Sequence, residues 1–269
     1  MRLYDAHSHL QDERIYGYLK SVFSCYQQGK IETVIVNGTS PSDWHRVEIL
    51  AAEYNCIRPA FGLHPWFIEA VDPNWFEVLK TFLIRNRGAS IGEIGLDKSS
   101  HAPELKLQQQ VFTQQLELAV SMKLTPCLHC VRTWGHMLEI LKHFGKDLSG
   151  FLLHSFSGPL EMIEQLVDLG AYFSISGYHM KKRRSDPFDI WKQIPIERIL
   201  IESDAPNMPP PDELREYEWK GIDGGNLHLN HPGNLISVYK WAANGLTIDL
   251  QTFTQQMESN FQRLFPPVY

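Results

Sequence analysis

The sequence lacks the features that mark a secreted or membrane protein. Its 269 residues include 4 cysteines, too few and too scattered for a disulfide framework in a chain of this length. No apolar run approaches the roughly 18 residues that cross a bilayer, and the N-terminus carries no basic segment followed by an apolar one. We therefore expect a cytoplasmic protein with no membrane partner.

An excess of basic residues is also missing. The chain has 25 Lys and Arg against 31 Asp and Glu, a formal net charge of −6. Because non-specific nucleic-acid binding depends mainly on neutralising phosphates, this balance argues against an extended nucleic-acid groove and leaves room for a locally basic pocket. With 43% hydrophobic and 21% charged residues, the composition is that of an ordinary globular protein with a sizeable core.

Short β-branched segments alternate with amphipathic segments along the chain. We predict eight strands, at residues 1–9, 33–37, 57–61, 90–93, 126–130, 151–154, 172–176 and 199–202. We predict helices at residues 12–29, from 41 onward, and at 75–87, 104–123, 134–144, 160–169, 233–244 and 249–265. This alternation, without a break in composition, predicts a single-domain TIM (β/α)8 barrel over residues 1–269, with 208–232 as a rim loop.

The stretch Asp5-Ala-His-Ser-His9 lies on the first predicted strand. Since side chains alternate along a strand, residues 5, 7 and 9 are expected to share one face. Two imidazoles on one face can bind a divalent ion from adjacent directions. The other strand ends carry further residues of the types that ligate metals: His64, Glu93, His129, His154 and Asp204. Because the strand ends of a barrel meet at one rim, we expect a metal site at its C-terminal face.

The types of ligand indicate a pair of divalent ions. His7, His9 and Asp204 are predicted to hold one ion, and His129 and His154 the other. Glu93, with two oxygens, is placed to bridge them. Two such ions activate a shared water for hydrolysis, and Asp204 is placed to accept the proton of that water. The candidate ions are zinc, magnesium, manganese and nickel, and the histidine content favours zinc-like ions over magnesium.

A set of ordered motifs resembles the TatD family of metal-dependent deoxyribonucleases, within the amidohydrolase-type barrels. The motifs are Asp5-Ala-His-Ser-His9, Gly62-Leu-His-Pro65, Gly92-Glu-Ile-Gly-Leu-Asp97, Pro126-Cys-Leu-His129, His154-Ser-Phe-Ser-Gly158 and Glu202-Ser-Asp-Ala-Pro206. The resemblance implies a TIM barrel, a two-metal centre with Glu93 as the bridge, and hydrolysis of phosphodiester bonds in DNA, often as a 3′ exonuclease. The chain departs from the family pattern at Lys98-Ser-Ser100 and at Leu229-Asn-His-Pro232.

Contacts to a DNA substrate or short oligonucleotide are predicted from a basic run after strand seven: Lys181, Lys182, Arg183 and Arg184. By composition alone such a run is also typical of a solvated turn, but its place on the rim favours phosphate binding. His64 is expected to contact the phosphate or leaving group. The aromatic residues Trp66, Phe67 and Tyr178 are placed either to stack on bases or to pack at the barrel mouth.

Two alternatives remain open at this point. The same ligands can activate water against a carbon centre, as in an esterase, lactonase or amidase. A non-catalytic binding protein would require a broken ligand set, and no ligand position is broken here. The CxxC spacing of Cys127 and Cys130 indicates neither a redox motif nor a zinc site, because residues three apart on a strand face opposite sides.

Overall fold

A parallel eight-stranded sheet forms the centre of the computed structural model, which describes residues 1–181, 186–219 and 229–266. Each strand pairs with the next one along the chain, in the order β1 to β8. The strands are β1 Leu3–Ser8, β2 Ile31–Asn37, β3 Ile57–Phe61, β4 Ser90–Asp97, β5 Pro126–Val131, β6 Phe151–Leu153, β7 Ala171–Ile175 and β8 Ile199–Ile201. The predicted TIM-barrel fold is confirmed.

Helices connect the strands and form the outer layer. They are α1 Glu13–Tyr16, α2 Leu19–Gly29, α3 Pro41–Glu53, α4 Trp75–Arg85, α5 Leu105–Met122, α6 Trp134–Phe144, α7 Ile163–Asp168, α8 Phe188–Trp191, α9 Leu235–Gly245 and α10 Leu250–Leu264. The prediction of one helix over 12–29 is wrong, because Gly17, a weak helix former, ends α1 and a second helix begins after Tyr18. No described helix is long and apolar enough to cross a membrane. The cytoplasmic location stays a prediction.

The first and last strands meet through main-chain hydrogen bonds beyond the end of β8. Asp204 N–H donates to the His7 carbonyl at 2.9 Å, and His9 N–H donates to the Ala205 carbonyl at 2.7 Å. These bonds place Asp204 directly beside the two histidines of the first strand, although almost the whole chain separates them.

The barrel interior is filled by apolar side chains from the strands. One buried cluster combines Tyr4, Ala6, Ile35, Ala60, Cys127, Leu152, Tyr172 and Leu200 with three residues of the C-terminal segment, Phe261, Leu264 and Phe265. Only the interior can bring together residues from so many strands. Cys130, by contrast, packs in the outer cluster between sheet and helices, so the two cysteines of the CxxC spacing face opposite sides, as predicted.

The prediction that Asp5 shares a face with the two histidines is wrong. Its neighbours Tyr4 and Ala6 belong to the interior cluster, so Asp5 lies on the opposite side of the strand. Its carboxylate accepts hydrogen bonds from Ser203 N–H at 2.8 Å and from the Ser203 hydroxyl at 2.6 Å. The pairing of β1 with β2 is irregular between Asp5 and Ser8. This irregularity changes which face of the strand the side chains after Asp5 occupy, so His7 does not share the face of Asp5.

Candidate metal centre

The residues predicted as metal ligands converge at the C-terminal end of the strands. They come from β1 and the residue after it, from β4 and β5, and from the residues after β6 and β8: His7, His9, Glu93, His129, His154 and Asp204. All but His129 are less than 9% exposed, and the His129 side chain is 12% exposed. The six groups are therefore held out of bulk water as one cluster.

Glu93 lies at the centre of this cluster. Its Oε2 is 3.1 Å from His9 Nε2 and 3.4 Å from His7 Nε2. Its Oε1 is 2.9 Å from both His129 Nδ1 and His154 Nε2. The two oxygens of one carboxylate thus face two different pairs of imidazoles, the arrangement expected of a bridging ligand.

The local course of β4 explains the position of Glu93. The prediction that the strand ends at Glu93 is wrong, because β4 continues to Asp97. Its pairing with β5 is irregular around Glu93, which turns this side chain toward the rim from within a strand. Gly92 permits the close approach: a Cβ there would lie 2.6 Å from the Cys127 Cβ.

Asp204 faces the first pair of imidazoles. Its Oδ1 is 3.5 Å from His9 Nε2 and 3.8 Å from His7 Nε2, and it has no hydrogen-bond partner among the described residues. Burial raises the pKa of Asp204 to about 7, with Glu202 and Glu93 acting in the same direction against His154 and His9. A buried carboxylate oxygen without a partner is costly unless a cation or a proton joins it.

Hydrogen bonds on the far side of two imidazoles fix which nitrogen faces the centre. His9 Nδ1 lies 2.8 Å from the Asn37 carbonyl, which only an N–H can satisfy. His129 Nε2 lies 2.8 Å from Asp97 Oδ2, which likewise requires a proton on Nε2. His9 Nε2 and His129 Nδ1 are therefore the nitrogens that face Glu93, and each can offer a lone pair to a metal ion once it has lost its proton.

His154 is oriented by a second buried carboxylate. Its Nδ1 lies 3.5 Å from Glu202 Oε1, while Glu202 Oε2 accepts a hydrogen bond of 2.5 Å from the Ser174 hydroxyl. Asp97 and Glu202 are positioning residues to which sequence reasoning assigns no role. Both residues lie inside the motifs quoted above, so the sequence already marks their positions. The direction in which each carboxylate points is set by the fold.

The charges of the cluster are arranged for a cation. Burial lowers the pKa of His7 to about 4, whereas the carboxylates of Glu93 and Asp204 outweigh burial and raise the pKa of His9 to about 9. The surrounding imidazoles hold the pKa of Glu93 well below its usual range despite burial.

The spacing of the donor atoms also fits a metal ion. His7 Nε2 and His9 Nε2 are only 3.1 Å apart. With metal–nitrogen bonds of about 2.1 Å, neighbouring ligand atoms around one ion lie roughly 3 to 3.5 Å apart. Donor atoms of His7, His9 and Asp204 all lie within 4.8 Å of one another. The residues present thus fit a divalent metal centre.

His64 differs from the other histidines of the site. Its Nδ1 accepts a hydrogen bond from Trp66 N–H at 3.2 Å, at the start of a 3-10 helix over Pro65–Ala70. Burial lowers the pKa of His64 to about 3, so the ring is neutral and its single proton is on Nε2. This Nε2 lies 3.7 Å from Glu93 Oε1. His64 therefore presents an N–H donor to the centre rather than a lone pair.

A cavity of about 670 Å³ opens over the metal centre. Its described lining includes Trp66 and Phe67 but not Tyr178. Lys181 is exposed after β7, whereas Lys182, Arg183 and Arg184 lie outside the described residues. A second cavity, of about 770 Å³, lies against the N-terminal ends of the first strands and contains none of these donors.

Comparison with known proteins extends the similarity over the whole barrel. The family model of the TatD related DNases matches residues 4–266. The metal-dependent hydrolase YjjV of Escherichia coli is 31% identical over 210 residues, 77% of this chain and 81% of that protein. The 3′-5′ ssDNA/RNA exonuclease TatD of Klebsiella pneumoniae is 26% identical over 236 residues, 87% of each chain. The crystal structure of YjjV superposes with a TM-score of 0.87 at 28% identity, covering 99% of both chains.

Proposed function

Because the chain belongs to the TatD family of metal-dependent hydrolases, we propose that it hydrolyses phosphodiester bonds in DNA, as a 3′-5′ exonuclease on DNA ends or short oligonucleotides. The geometry of Glu93 carries the proposal, because its two oxygens lie 2.9 to 3.4 Å from two separate pairs of imidazoles. This arrangement favours a two-metal centre, which suits phosphodiester hydrolysis because charge develops on both the attacking and leaving oxygens. We further propose that residues 1–269 act as one domain.

Each ion position has its own set of ligands. His7, His9 and Asp204 would hold one divalent ion, His129 and His154 would hold the other, and Glu93 would be shared. Two bound cations would lower the pKa of a water between them and offset the negative charge that develops on the phosphate. The nitrogen-rich set favours zinc-like ions, with magnesium, manganese and nickel as the other candidates.

Asp204 is proposed as the proton acceptor. As the water oxygen bonds to phosphorus and the ester bond breaks, one proton of the water passes to the Asp204 carboxylate, and the leaving oxygen takes up a proton from solvent water. Asp204 Oδ1 is buried, lies 3.5 Å from His9 Nε2 and has no hydrogen-bond partner among the described residues. A carboxylate beside the attacking water can bind a cation and accept the proton of that water.

His64 is proposed as a hydrogen-bond donor to the substrate. Its Nε2 lies 3.7 Å from Glu93 Oε1, and His64 lines the cavity through which a substrate oxygen would approach the centre. Because the ring stays neutral, the donor is available over the whole physiological pH range. A neutral donor aimed at developing negative charge stabilises the transition state without adding a proton to it.

The phosphate backbone is proposed to contact the basic run at 181–184. Its first residue, Lys181, is exposed and directly follows a 3-10 helix over Gly177–Met180 at the C-terminal end of β7. This end of the strand belongs to the same face of the barrel as the metal centre. Phosphate contacts at this point would position the strand without reading its sequence.

The test is a comparison of substrates with one preparation of protein. The metal-loaded enzyme is incubated with a single-stranded oligonucleotide labelled at its 5′ end, so that shortening from the 3′ end gives a ladder, and in parallel with a panel of esters, lactones and amides. We expect the ladder and no turnover of the panel. Turnover of the panel alone would overturn the proposal in favour of hydrolysis at a carbon centre.

A further inference from the structure

Trp66 is the large aromatic side chain that the cavity presents to solvent. It is 45% exposed, although it lines the same cavity as the metal centre. Its ring centroid lies 6.4 Å from that of His129, 5.0 Å from that of His64 and 5.7 Å from that of His101, and the ring planes are inclined at 72°, 83° and 59°. An apolar ring left open this close to a hydrolytic centre is the kind of surface on which a nucleobase stacks.

The indole N–H does not face solvent. It donates to Asp97 Oδ2 at 2.8 Å, and the same oxygen accepts the Nε2–H of His129, also at 2.8 Å. One carboxylate oxygen therefore orients both a proposed metal ligand and the exposed aromatic ring.

Asp97 is itself rigidly held. Its Oδ1 accepts from Ser99 N–H at 2.6 Å. Gln108 brackets its main chain, accepting from Asp97 N–H at 2.8 Å and donating to the Asp97 carbonyl at 2.8 Å. The carboxyl is 1% exposed, so solvent does not compete for these bonds. Such a support fixes the ring in one orientation before any substrate arrives.

We propose that Trp66 stacks on the base of the 3′-terminal nucleotide and that Asp97 is the positioning residue for both Trp66 and His129. This inference rests on the proposed oligonucleotide substrate and names how that substrate is recognised. Stacking accepts every base, because each has a π-face, so Trp66 gives affinity without sequence preference. Because the same carboxylate orients Trp66 and His129, the stacked nucleotide keeps a fixed position relative to the metal centre.

The stacking is tested with two oligonucleotides that differ only in the last nucleotide, one normal and one abasic. Trp66→Ala is expected to lower kcat/KM on the normal end by about 5- to 150-fold, the range for one stacked base. On the abasic end the same variant should match the wild type, because no base is there to stack. Trp66→Phe keeps an aromatic face and should retain most of the difference in kcat/KM between the normal and the abasic oligonucleotide. Equal losses on both ends in Trp66→Ala would overturn the proposal.

Phe67→Ala is the matched control, since Phe67 lines the same cavity but is not bonded to Asp97. A base-dependent loss in Phe67→Ala and none in Trp66→Ala would assign the stacking to Phe67 instead.

The positioning role is tested through metal affinity as well as activity. Asp97→Asn removes the charge that orients His129, and we expect the affinity for Zn²⁺ or Mn²⁺, measured by chelator competition, to fall about 10- to 100-fold. The same variant should also reduce the difference in kcat/KM between the normal and abasic ends, because a neutral amide oxygen holds the indole N–H less strongly than a carboxylate oxygen does. If both the metal affinity and the difference in kcat/KM between normal and abasic ends were unchanged, the positioning role of Asp97 would be refuted.

Equilibrium binding separates this inference from the proposed function. The anisotropy of 5′-labelled oligonucleotides with a non-hydrolysable 3′-terminal linkage reports binding to the metal-loaded protein, and the same oligonucleotides with a normal linkage report cleavage in parallel. Base-dependent binding without cleavage would contradict the proposed function and leave the stacking intact. Binding of neither oligonucleotide would refute both.

Discussion

Replacing Glu93 by glutamine is the sharpest perturbation of the metal centre. The substitution keeps the shape of the side chain but turns one of its two oxygens into an amide NH2. In the native protein Oε2 lies 3.1 Å from His9 Nε2, and Oε1 lies 2.9 Å from His129 Nδ1. Whichever way the amide turns, one ion position loses its shared anionic ligand and gains a donor that cannot bind a cation.

The expected loss is unequal between the two positions. Without the bridge, one position keeps three protein ligands, His7, His9 and Asp204, as catalytic zinc sites commonly have. The other keeps only His129 and His154. We therefore expect Glu93→Gln to hold about one ion per chain instead of two. A missing cation removes several kcal/mol of transition-state stabilisation, and about 3 kcal/mol corresponds to more than a hundredfold in kcat.

Metal analysis and kinetics decide the outcome together. The protein is dialysed against metal-buffered solution, its metal content is determined by mass spectrometry, and hydrolysis of the oligonucleotide is followed at saturating substrate. Glu77→Gln is the control, because Glu77 undergoes the same chemical change with its side chain 64% exposed on α4. Two ions per chain and a wild-type rate in Glu93→Gln would refute the bridging role.

Three further predictions address the proton acceptor, the backbone contacts and the metal ligands. Asp204→Asn keeps a neutral oxygen but loses the base, so kcat should fall by a factor of roughly 10² to 10⁴ at saturating metal. A kcat within a factor of about three of the wild-type value would mean that another group accepts the proton. Replacing all four residues of 181–184 by serine should weaken oligonucleotide binding and make that binding less dependent on salt concentration. Hydrolysis of a small chromogenic phosphodiester should stay nearly unchanged, because that substrate has no backbone to bind. Equal losses of activity on the oligonucleotide and on the small phosphodiester would mean that the run supports the fold. Although burial opposes it, Glu93 raises the pKa of His9 to about 9 in the metal-free protein, so a proton must leave before metal binds. Metal affinity should therefore rise from about pH 6 to 9, with proton release in calorimetry; an affinity independent of pH would contradict this.

The fold and the positions of the proposed ligands are predictable from sequence because both follow from short-range patterns. The βα alternation predicts the barrel, and the barrel brings strand ends together at one rim, so His129 and His154 meet although 25 positions separate them. The meeting of the residues needs only the order of the strands. It does not depend on the exact register or on side-chain direction.

The predictions that fail depend on details that the strand pattern does not contain. Alternation of side chains predicts Asp5 on the same face as His7, but an irregularity in the pairing of β1 lies between them. The sequence pattern predicts a strand over 90–93, whereas β4 continues past Glu93 to Asp97. The orienting roles of Asp97 and Glu202 require knowing which side of an imidazole each carboxylate reaches. That information arises only when the strands are packed.

The contacts that join the first and last strands also place residues of the candidate metal centre. Asp204 reaches its place because its N–H bonds to the His7 carbonyl, and the return bond runs from His9 N–H to the Ala205 carbonyl. The backbone of Asp204 has a φ of 50°, an uncommon conformation for a residue other than glycine, which these bonds help to hold. A cation held by His7, His9 and Asp204 would therefore join the first strand to the last through side chains, at the point where main-chain bonds already join them. Its binding energy would favour the closed barrel over the open sheet, since it binds only the closed arrangement.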